Sequence, residues 1–311
     1  MSTHRTAGST TETRPRGVAD LTGPGSGPTA ARGSMVRRIL LGGQLRRLRE
    51  ACGVTREEAG YAIRASESKI SRMELGRVSF KQRDVADLLT LYGVIDEAER
   101  EPLLALAKSS GMTGWWHSYN DVVPGWFQTY VGLEAAAERI STYELQFVHG
   151  LLQTEDYAHA VVVSGHRGRL PRSEVDRRIA LRLERQKLLF SEGSPHLHCV
   201  LDEAALRRPY GGRQVMNAQL RALLEFSDYS RVTLQVVPFS HGGHVAESGA
   251  FTLLRFAQEE LADLVYLEQL TGAQYLDKRE EVAAYQRVLE GLAEAAASPS
   301  ETRDLIRKLI D

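Results

Sequence analysis

The sequence predicts an α+β fold, mainly α: a group of four or five short helices comes first, followed by a helical segment and a small mixed β-sheet domain with flanking helices. Between Val36 and Tyr92, apolar residues recur at three- and four-residue spacing, which is typical of helices with one buried face. Further along the chain, short apolar and β-branched runs between turn signals are typical of strands. These runs span residues 197–201, 232–237, 250–256 and 264–268.

Length and composition indicate an ordinary globular protein of about two domains. The chain has 311 residues, of which 42% are hydrophobic and 25% are charged. Its apolar runs are shorter than the roughly 18–20 residues of a membrane span, and its N-terminus lacks the apolar core of a signal peptide. We therefore expect a cytoplasmic protein without a membrane partner. Because its two cysteines, Cys52 and Cys199, are far apart, we expect no disulfide, metal or cofactor.

Charge is distributed unevenly along the chain. Residues 1–83 carry 16 Lys and Arg against 7 Asp and Glu, a net charge of +9, whereas the remainder has a net charge of −10. A basic segment can neutralise phosphates, which would repel an acidic one. This division favours one nucleic-acid-binding module joined to a module with another role.

Three regions follow from composition and periodicity. Residues 1–34 are rich in Ser, Thr, Gly, Pro and Arg. They predict a disordered tail, because they cannot bury enough surface to offset the entropy of ordering. Residues 35–110 contain the short helices and a helical connector, and residues 115–311 form the second domain.

The second domain combines helices with the predicted strands. Strand 197–201, helix 213–226 and strand 232–237 follow one another, a succession that favours a parallel pair of strands. The other predicted helices span residues 133–147, 154–163, 173–190, 277–296 and 300–310.

Local signals mark the ends of the short helices in the first domain. Thr55 begins the second helix and forms the capping-box pattern with Glu58. Ser66 caps the third helix, which runs to Glu74. The second helix ends near Arg64, so the turn between the two helices is short. Such a turn makes the helices cross steeply and exposes the third.

The third helix has an apolar inner face and a polar outer face. Ile70 and Met73 anchor it from behind. A helix of this width fits the major groove of DNA, where side chains can distinguish base pairs. The outward-facing residues are Glu67, Ser68, Lys69, Ser71 and Arg72.

These residues resemble the XRE/Cro-like helix-turn-helix family of transcriptional regulators. The resemblance is carried by "LRRLRE", by "GVTREEAG" at the second helix and by "SKISRMELGR" in the third. It implies that Glu67, Ser68 and Arg72 occupy base-reading positions. The residues that match phosphate or mixed contacts are Arg56, Ser66 and Lys69.

The candidate DNA-contacting residues include two that have a competing interpretation. Glu67 departs from the family's commoner amide or small polar residue; its carboxylate can accept a hydrogen bond from cytosine but repels phosphate. Arg72 has an alternative role as the partner of Glu67 or Glu74 in an ion pair on the helix surface. The complete set is Arg56, Ser66, Glu67, Ser68, Lys69, Ser71, Arg72 and Arg77.

Nearly everything after Trp115 resembles a C-terminal domain of unassigned function that follows this helix-turn-helix in actinobacterial regulators. The matching segments include "WWHSYNDVVPGWFQTYVGLEAAAERISTYELQFVHGLLQTEDYAHAVV", "RLERQKLL" and "VTLQVVPFSHGGHVAESGAFTLLRF". The resemblance implies a small partner protein encoded nearby, as in toxin–antitoxin-like systems. We also expect a homodimer on double-stranded DNA, because two half-sites supply the affinity that a single helix-turn-helix lacks.

Two groups of residues in the second domain are candidates for binding a ligand or partner. The first is the aromatic cluster with Trp115, Trp116 and Trp126, whose alternative role is to plug the core or a domain seam. The second is the Gly-rich loop 238–248 with His241 and His244, because long loops on a rigid sheet commonly carry function. The two histidines lack further zinc ligands at suitable spacing.

Three functions are open from the sequence. The favoured one is a regulator, not an enzyme, whose C-terminal domain binds a ligand or a small protein partner. The second is an antitoxin-type protein that neutralises a small partner and regulates its own operon. The third, an enzyme fused to a DNA-binding domain, is disfavoured because the sequence has no Gly-rich phosphate loop, nucleophile elbow or zinc-protease motif.

Overall fold

The structure, a computed structural model, describes residues 28–109, 114–166, 168–191, 193–257 and 261–310. Its N-terminal part consists of five helices connected by short turns. They are α1 (Pro28–Ala51), α2 (Arg56–Ala62), α3 (Glu67–Glu74), α4 (Gln82–Leu91) and α5 (Glu97–Ser109).

The predicted disordered tail, residues 1–34, overlaps the start of α1. Residues 1–27 lie outside the described part of the chain, but residues 28–34 belong to α1, which is a correction to the predicted boundary. Pro28 suits the first position of a helix, because its ring presets φ and no partner is needed there for an N–H group.

The capping signals at α2 and α3 are confirmed. The Thr55 side chain accepts a hydrogen bond from the Glu58 backbone, and the Glu58 carboxylate accepts one from the Thr55 backbone at 2.7 Å. The Ser66 hydroxyl accepts from the Lys69 backbone. Between the two helices, Arg64 adopts a left-handed φ of 55°, which allows the chain to reverse direction within a short turn.

The first five helices enclose one apolar core. Ile70 and Met73 of α3 are each only 1% exposed, so the inner face of this helix is the predicted one. The buried members of the core are Leu41, Leu45, Ala59, Ile63, Ile70, Met73, Phe80, Val85, Leu88, Leu89, Tyr92, Val94 and Ala107.

The C-terminal part contains strands and helices in alternation. Its strands are β1 (Arg139–Glu144), β2 (His196–Asp202), β3 (Val232–Val237), β4 (Phe251–Arg255), β5 (Leu264–Gln269) and β6 (Gly272–Leu276). Its helices are α6 (Gly125–Ala136), α7 (Glu155–Gly165), α8 (Arg172–Gln186), α9 (Glu203–Arg207), α10 (Arg213–Phe226), α11 (Arg279–Ala295) and α12 (Pro299–Leu309).

The strands form one mixed sheet in the order β3-β2-β1-β4-β5-β6. β1, β2 and β3 are parallel, which confirms the predicted parallel pair, whereas β4, β5 and β6 pair antiparallel. The carboxyl ends of β1, β2 and β3 therefore lie at one edge of the sheet, where β4 begins and β5 ends. The predicted α+β class, mainly α, is confirmed.

The predicted helix at 133–147 is wrong. Helix α6 ends at Ala136, and residues 139–144 form β1 between β2 and β4. Because β1 is covered on both faces, residues 140–143 are all buried and show no strand alternation. The Ala-rich segment before it favours a helix locally, and pairing with two neighbouring strands overrides that preference.

Helix α1 contributes to the cores of both parts of the molecule. Met35 lies among the buried residues of the sheet's main core, with Tyr130 and Leu133 of α6. Farther along the same helix, Leu41 and Leu45 lie in the core of the first five helices. A straight helix is rigid over this length, so α1 fixes the position of one part against the other.

Two adjacent glycines in α1 provide a test of this packing. A Cβ atom at Gly42 would contact the Met73 carbonyl oxygen and lie 2.6 Å from that of Glu74, whereas a Cβ atom at Gly43 would meet nothing within 4 Å. We expect Gly42→Ala to lower the free energy of unfolding by about 1–3 kcal/mol through overpacking. Gly43→Ala, the matched control, should raise it by about 0.5–1 kcal/mol, because alanine favours a helix. Urea unfolding of both variants measures the difference, and equal effects would contradict the packing.

Candidate nucleic-acid interface and C-terminal cavity

Helix α3 presents an exposed polar face on a rigid support. Glu67, Ser68 and Arg72 are exposed, and the opposite face is buried. Helix α2 approaches the turn before α3 closely: a Cβ atom at Gly60 would lie 2.7 Å from the Ala65 carbonyl oxygen. This close approach sets the angle between the two helices.

Among the described residues, Arg72 is the cation of this face that has no intramolecular charge partner. Its Nε donates a hydrogen bond to the Ser68 carbonyl oxygen at 3.2 Å. Within the described part of the chain, neither Glu67 nor Glu74 forms the alternative ion pair with it. Most of its N–H donors are therefore available to an external acceptor.

Two other predicted DNA contacts carry ion pairs within the protein. Arg56 Nε lies 3.0 Å from the carboxylate of Glu74, which is 4% exposed and also pairs with Arg49. Lys69 Nζ lies 2.7 Å from the Asp84 carboxylate. The Glu74 pairs join α1, α2 and α3, so Arg56 has a structural role that the sequence did not indicate.

Arg77 contacts the C-terminal sheet. Its guanidinium lies 4.1 Å from the centre of the Tyr275 ring in β6 and donates a hydrogen bond to the Tyr275 carbonyl oxygen at 3.4 Å. Burial in this contact lowers the pKa of Arg77. Nearby, Arg46 of α1 forms an ion pair with Asp277 at 2.9 Å. The contacts with Tyr275 therefore involve the Arg77 guanidinium, which the sequence analysis assigned to DNA.

The aromatic cluster belongs mainly to the packing between the two parts. Trp116 is 2% exposed. Its ring packs so closely on Gly132 that a Cβ atom at this glycine would lie 2.9 Å from the ring and 3.3 Å from the Met35 sulfur. The Trp126 carbonyl oxygen accepts a hydrogen bond from the Tyr275 hydroxyl. Trp116 and Trp126 also line a cavity of about 480 Å³ between α1, α3 and β6, whereas Trp115 packs edge-on against Trp116.

The two histidines of loop 238–248 differ in environment. His241 is exposed, whereas His244 turns inward. The Tyr143 hydroxyl lies 2.9 Å from His244 Nε2, and an Asp202 oxygen lies 3.8 Å from the same nitrogen. The structure thus joins His244 to the ends of β1 and β2 and leaves His241 apart. Among the described residues, no three His, Cys, Asp or Glu side chains are grouped as metal ligands would be.

A cavity that the sequence did not predict lies at the carboxyl end of β1. We call it the β1 cavity; its volume is about 330 Å³. It is bounded by α6, α8, β4, β5 and the segment after β1. Its lining residues are Phe127, Tyr130, Glu144, Leu145, Gln146, Phe147, His149, Gly150, Gln153, Arg182, Arg185, Ala250, Phe251, Thr252, Tyr266 and Glu268.

The β1 cavity contains charged groups of both signs. Burial and the nearby Glu268 carboxylate raise the pKa of Glu144 to about 8. Burial, together with the charge of Arg185, lowers the pKa of Arg182 to about 10. Burial also lowers the pKa of His149 to about 4, so its imidazole is neutral near pH 7.

Arg185 is the charged group of the cavity that is fully compensated within the protein. Its Nε and a terminal nitrogen donate to the two oxygens of Glu134 at 2.8 and 2.7 Å. Burial acts to lower the pKa of Arg185, but the attraction of Glu134 outweighs it and raises that pKa. This bidentate pair joins α8 to α6, and its arginine lines the cavity.

Two family models match the chain, one in each of its two parts. Residues 127–308 match the family model described as a domain of unknown function, DUF5753, which spans more than half of the chain. The chain belongs to the DUF5753 family. Residues 40–103 match a model described as a helix-turn-helix domain, which indicates a DNA-binding regulator. The chain matches no curated protein and no solved structure.

The helix-turn-helix match covers α2 and α3 and ends within α5, and the DUF5753 match begins in α6. The β1 cavity therefore lies within the DUF5753 domain. Two residues outside this domain contact it: Arg77, within the helix-turn-helix match, and Met35, which precedes that match. No helix in the described ranges has the length and apolar character to cross a membrane.

The cavity was missed because its residues come from distant segments. Glu144 ends a strand that the sequence analysis did not recognise, and Tyr266 belongs to a strand more than a hundred residues later. One signal was present in the sequence: Arg182 and Arg185 lie three residues apart on α8, near the buried residues Ile179 and Leu181. Charged residues near the buried face of a helix indicate either pairing or a site.

The pKa of Glu144 predicts a pH-dependent stability. A free Glu side chain has a pKa of about 4.3, so between there and pH 8 the folded state holds more protons than the unfolded state. The free energy of unfolding should therefore fall as the pH rises through this window. Glu144→Gln removes this loss, and we expect the variant to gain about 2–4 kcal/mol relative to the wild type between pH 5 and pH 8.

Urea unfolding at both pH values measures this gain. Phe147→Leu, which alters the same cavity without removing an ionisable group, is the control. Its effect should be the same at the two pH values. A Glu144→Gln effect that is equally constant would show that Glu144 titrates normally.

Proposed function

We propose that this protein is a sequence-specific transcriptional regulator of the XRE/Cro-like type found in actinobacterial regulators. In this proposal, residues 35–110 bind DNA through α3, and residues 115–311 bind a ligand or a protein partner and pair two subunits. The observation that carries the proposal is the exposed polar face of α3, with Arg72 free of intramolecular carboxylates, on a helix-turn-helix core.

We assign Glu67, Ser68 and Arg72 to the bases. Their side chains project from the exposed face of α3, and an arginine can donate two hydrogen bonds to guanine. Arg56 and Lys69 each use one donor for an internal ion pair, and their remaining N–H groups are assigned to phosphates. Ser66 and Ser71 complete the phosphate contacts. Arg77 is assigned to the contact with β6.

A stack of aromatic rings supports communication between the DUF5753 domain and α3. The rings of Tyr130 and Tyr266 stack at 4.1 Å in the wall of the β1 cavity, and Tyr266 meets Tyr275 at 5.3 Å. The Tyr275 ring in turn packs against the guanidinium of Arg77, a residue that follows the end of α3. A ligand that moves Tyr266 would act on this stack, because packed side chains transmit displacement.

The base-reading role of Arg72 can be tested with DNA selected from a random duplex library. Arg72→Ala should reduce discrimination between selected and random duplexes by about 1–3 kcal/mol, roughly tenfold or more in the ratio of Kd values. Arg172→Ala is the control, because it removes one charge from a side chain that is 95% exposed in the DUF5753 domain. Fluorescence anisotropy gives the affinities of the wild type and of each variant for the two duplexes. An equal loss on both duplexes would assign Arg72 to phosphate instead.

The pairing of two subunits is tested by light scattering on the full chain. Three apolar residues of the aromatic cluster and of α8 are internal and offer no surface for pairing: Trp116, Ile179 and Leu181 are at most 5% exposed. The expectation of a dimer now depends on the need to read two half-sites. We expect the mass of a dimer at micromolar concentration, alone or on the selected duplex. A monomer under both conditions would contradict this part of the proposal.

A further inference from the structure

The β1 cavity opens at the sheet edge where the parallel strands end. Glu144 is the last residue of β1, and Phe251, the first residue of the antiparallel neighbour β4, lines the same cavity. In sheets with parallel strands, ligands commonly bind outside the carboxyl ends of those strands. A volume of about 330 Å³ is at the lower end of the range of ligand pockets, about 300–1,000 Å³, and suits a small molecule.

The cavity holds a buried cation without a carboxylate in contact. Arg182 donates one hydrogen bond, at 2.9 Å, to the neutral side chain of Gln153. Among the described residues, no carboxylate lies within ion-pair distance of it, in contrast to Arg185, which Glu134 compensates. An anion that entered the cavity would stabilise a buried guanidinium in this position.

The same cavity holds a carboxyl group that lacks a cation in contact. Glu144 accepts a hydrogen bond from the Thr142 hydroxyl, at 3.4 Å. Glu268, on β5, lies close enough to oppose its ionisation and itself accepts a hydrogen bond from the Tyr266 hydroxyl at 2.9 Å. A cation between Glu144 and Glu268 would stabilise both carboxylates and favour the ionised form of Glu144.

The remaining walls are aromatic. Phe127, Tyr130, Phe147 and Tyr266 surround the charged groups and provide apolar surface for the body of a ligand. A ligand with an ammonium group alone would leave Arg182 without an anion in contact, and one with a carboxylate alone would leave Glu144 and Glu268 without a cation between them.

We propose that the β1 cavity binds a small zwitterion, with an ammonium and a carboxylate on an apolar body, as in an α-amino acid. Arg182 binds the carboxylate, Glu144 and Glu268 bind the ammonium, and the aromatic walls contact the body. The proposal rests on the proposed function, in which the DUF5753 domain binds a ligand, and names the chemistry of that ligand.

Isothermal titration of the full chain with each of the twenty common L-amino acids tests the proposal. We expect at least one with an apolar side chain to bind with a Kd under about 1 mM. The amine that lacks its carboxylate and the acid that lacks its ammonium should each bind at least about tenfold more weakly, since each loses one charge-assisted contact.

Substitutions in the cavity provide the second readout. Arg182→Met and Glu144→Gln should each weaken binding of the best amino acid by about tenfold or more. Arg178→Met is the control, because Arg178 lies one turn earlier on α8 and pairs with Glu174 outside the cavity. If Arg182→Met does not fold, Arg182→Lys retains the charge and should retain part of the affinity.

Three results would overturn the proposal: no amino acid binds, the amine or the acid alone binds as tightly as the amino acid, or both cavity variants bind like the wild type. The same preparation is assayed on the selected duplex. If the protein binds the duplex but no amino acid, the zwitterion site is rejected and the proposed DNA-binding function is retained. If the protein binds the amino acid but no duplex, the zwitterion site is retained and the proposed DNA-binding function is rejected.

Discussion

The structure depends on one helix that is shared by two cores. Met35 of α1 is buried with Tyr130 against the sheet, and Leu41 and Leu45 are buried against α3. At Gly42 the backbones of α1 and α3 approach so closely that a side chain does not fit. The direction in which α3 faces is therefore set relative to the DUF5753 domain as well as to its own core.

Pairing within the protein divides its arginines into two groups. Arg56, Arg77 and Arg185 interact with Glu74, Tyr275 and Glu134, respectively, and hold elements together. Arg72 and Arg182 have no carboxylate in contact among the described residues, and they lie on the α3 face and in the β1 cavity. The net charge of +9 in residues 1–83 thus overstates the number of cations available to phosphates. The distinction between paired and unpaired cations locates both candidate sites.

The sequence predicted what local signals determine. The Thr55 capping box and the inward face of α3 depend on residues a few positions apart, and both were predicted correctly. By contrast, β1 is a strand because two neighbours pair with it, and its Ala-rich approach favours a helix. The β1 cavity was missed for the same reason: Glu144 and Arg182 come from elements far apart in the sequence and line one cavity only in the folded chain, which no local pattern reveals.

Because α1 belongs to both cores, we expect the five N-terminal helices and the DUF5753 domain to unfold as one cooperative unit. Hydrogen exchange on the full chain, free and saturated with the selected duplex, tests it most directly. A ligand that binds only the folded state raises the protection of every amide that exchanges through global unfolding. We predict that duplex binding increases the protection factors of the slowest amides in β1 and β2 as much as it increases those in α3. A gain confined to α1 through α5 would show that the two parts unfold independently and would contradict the account.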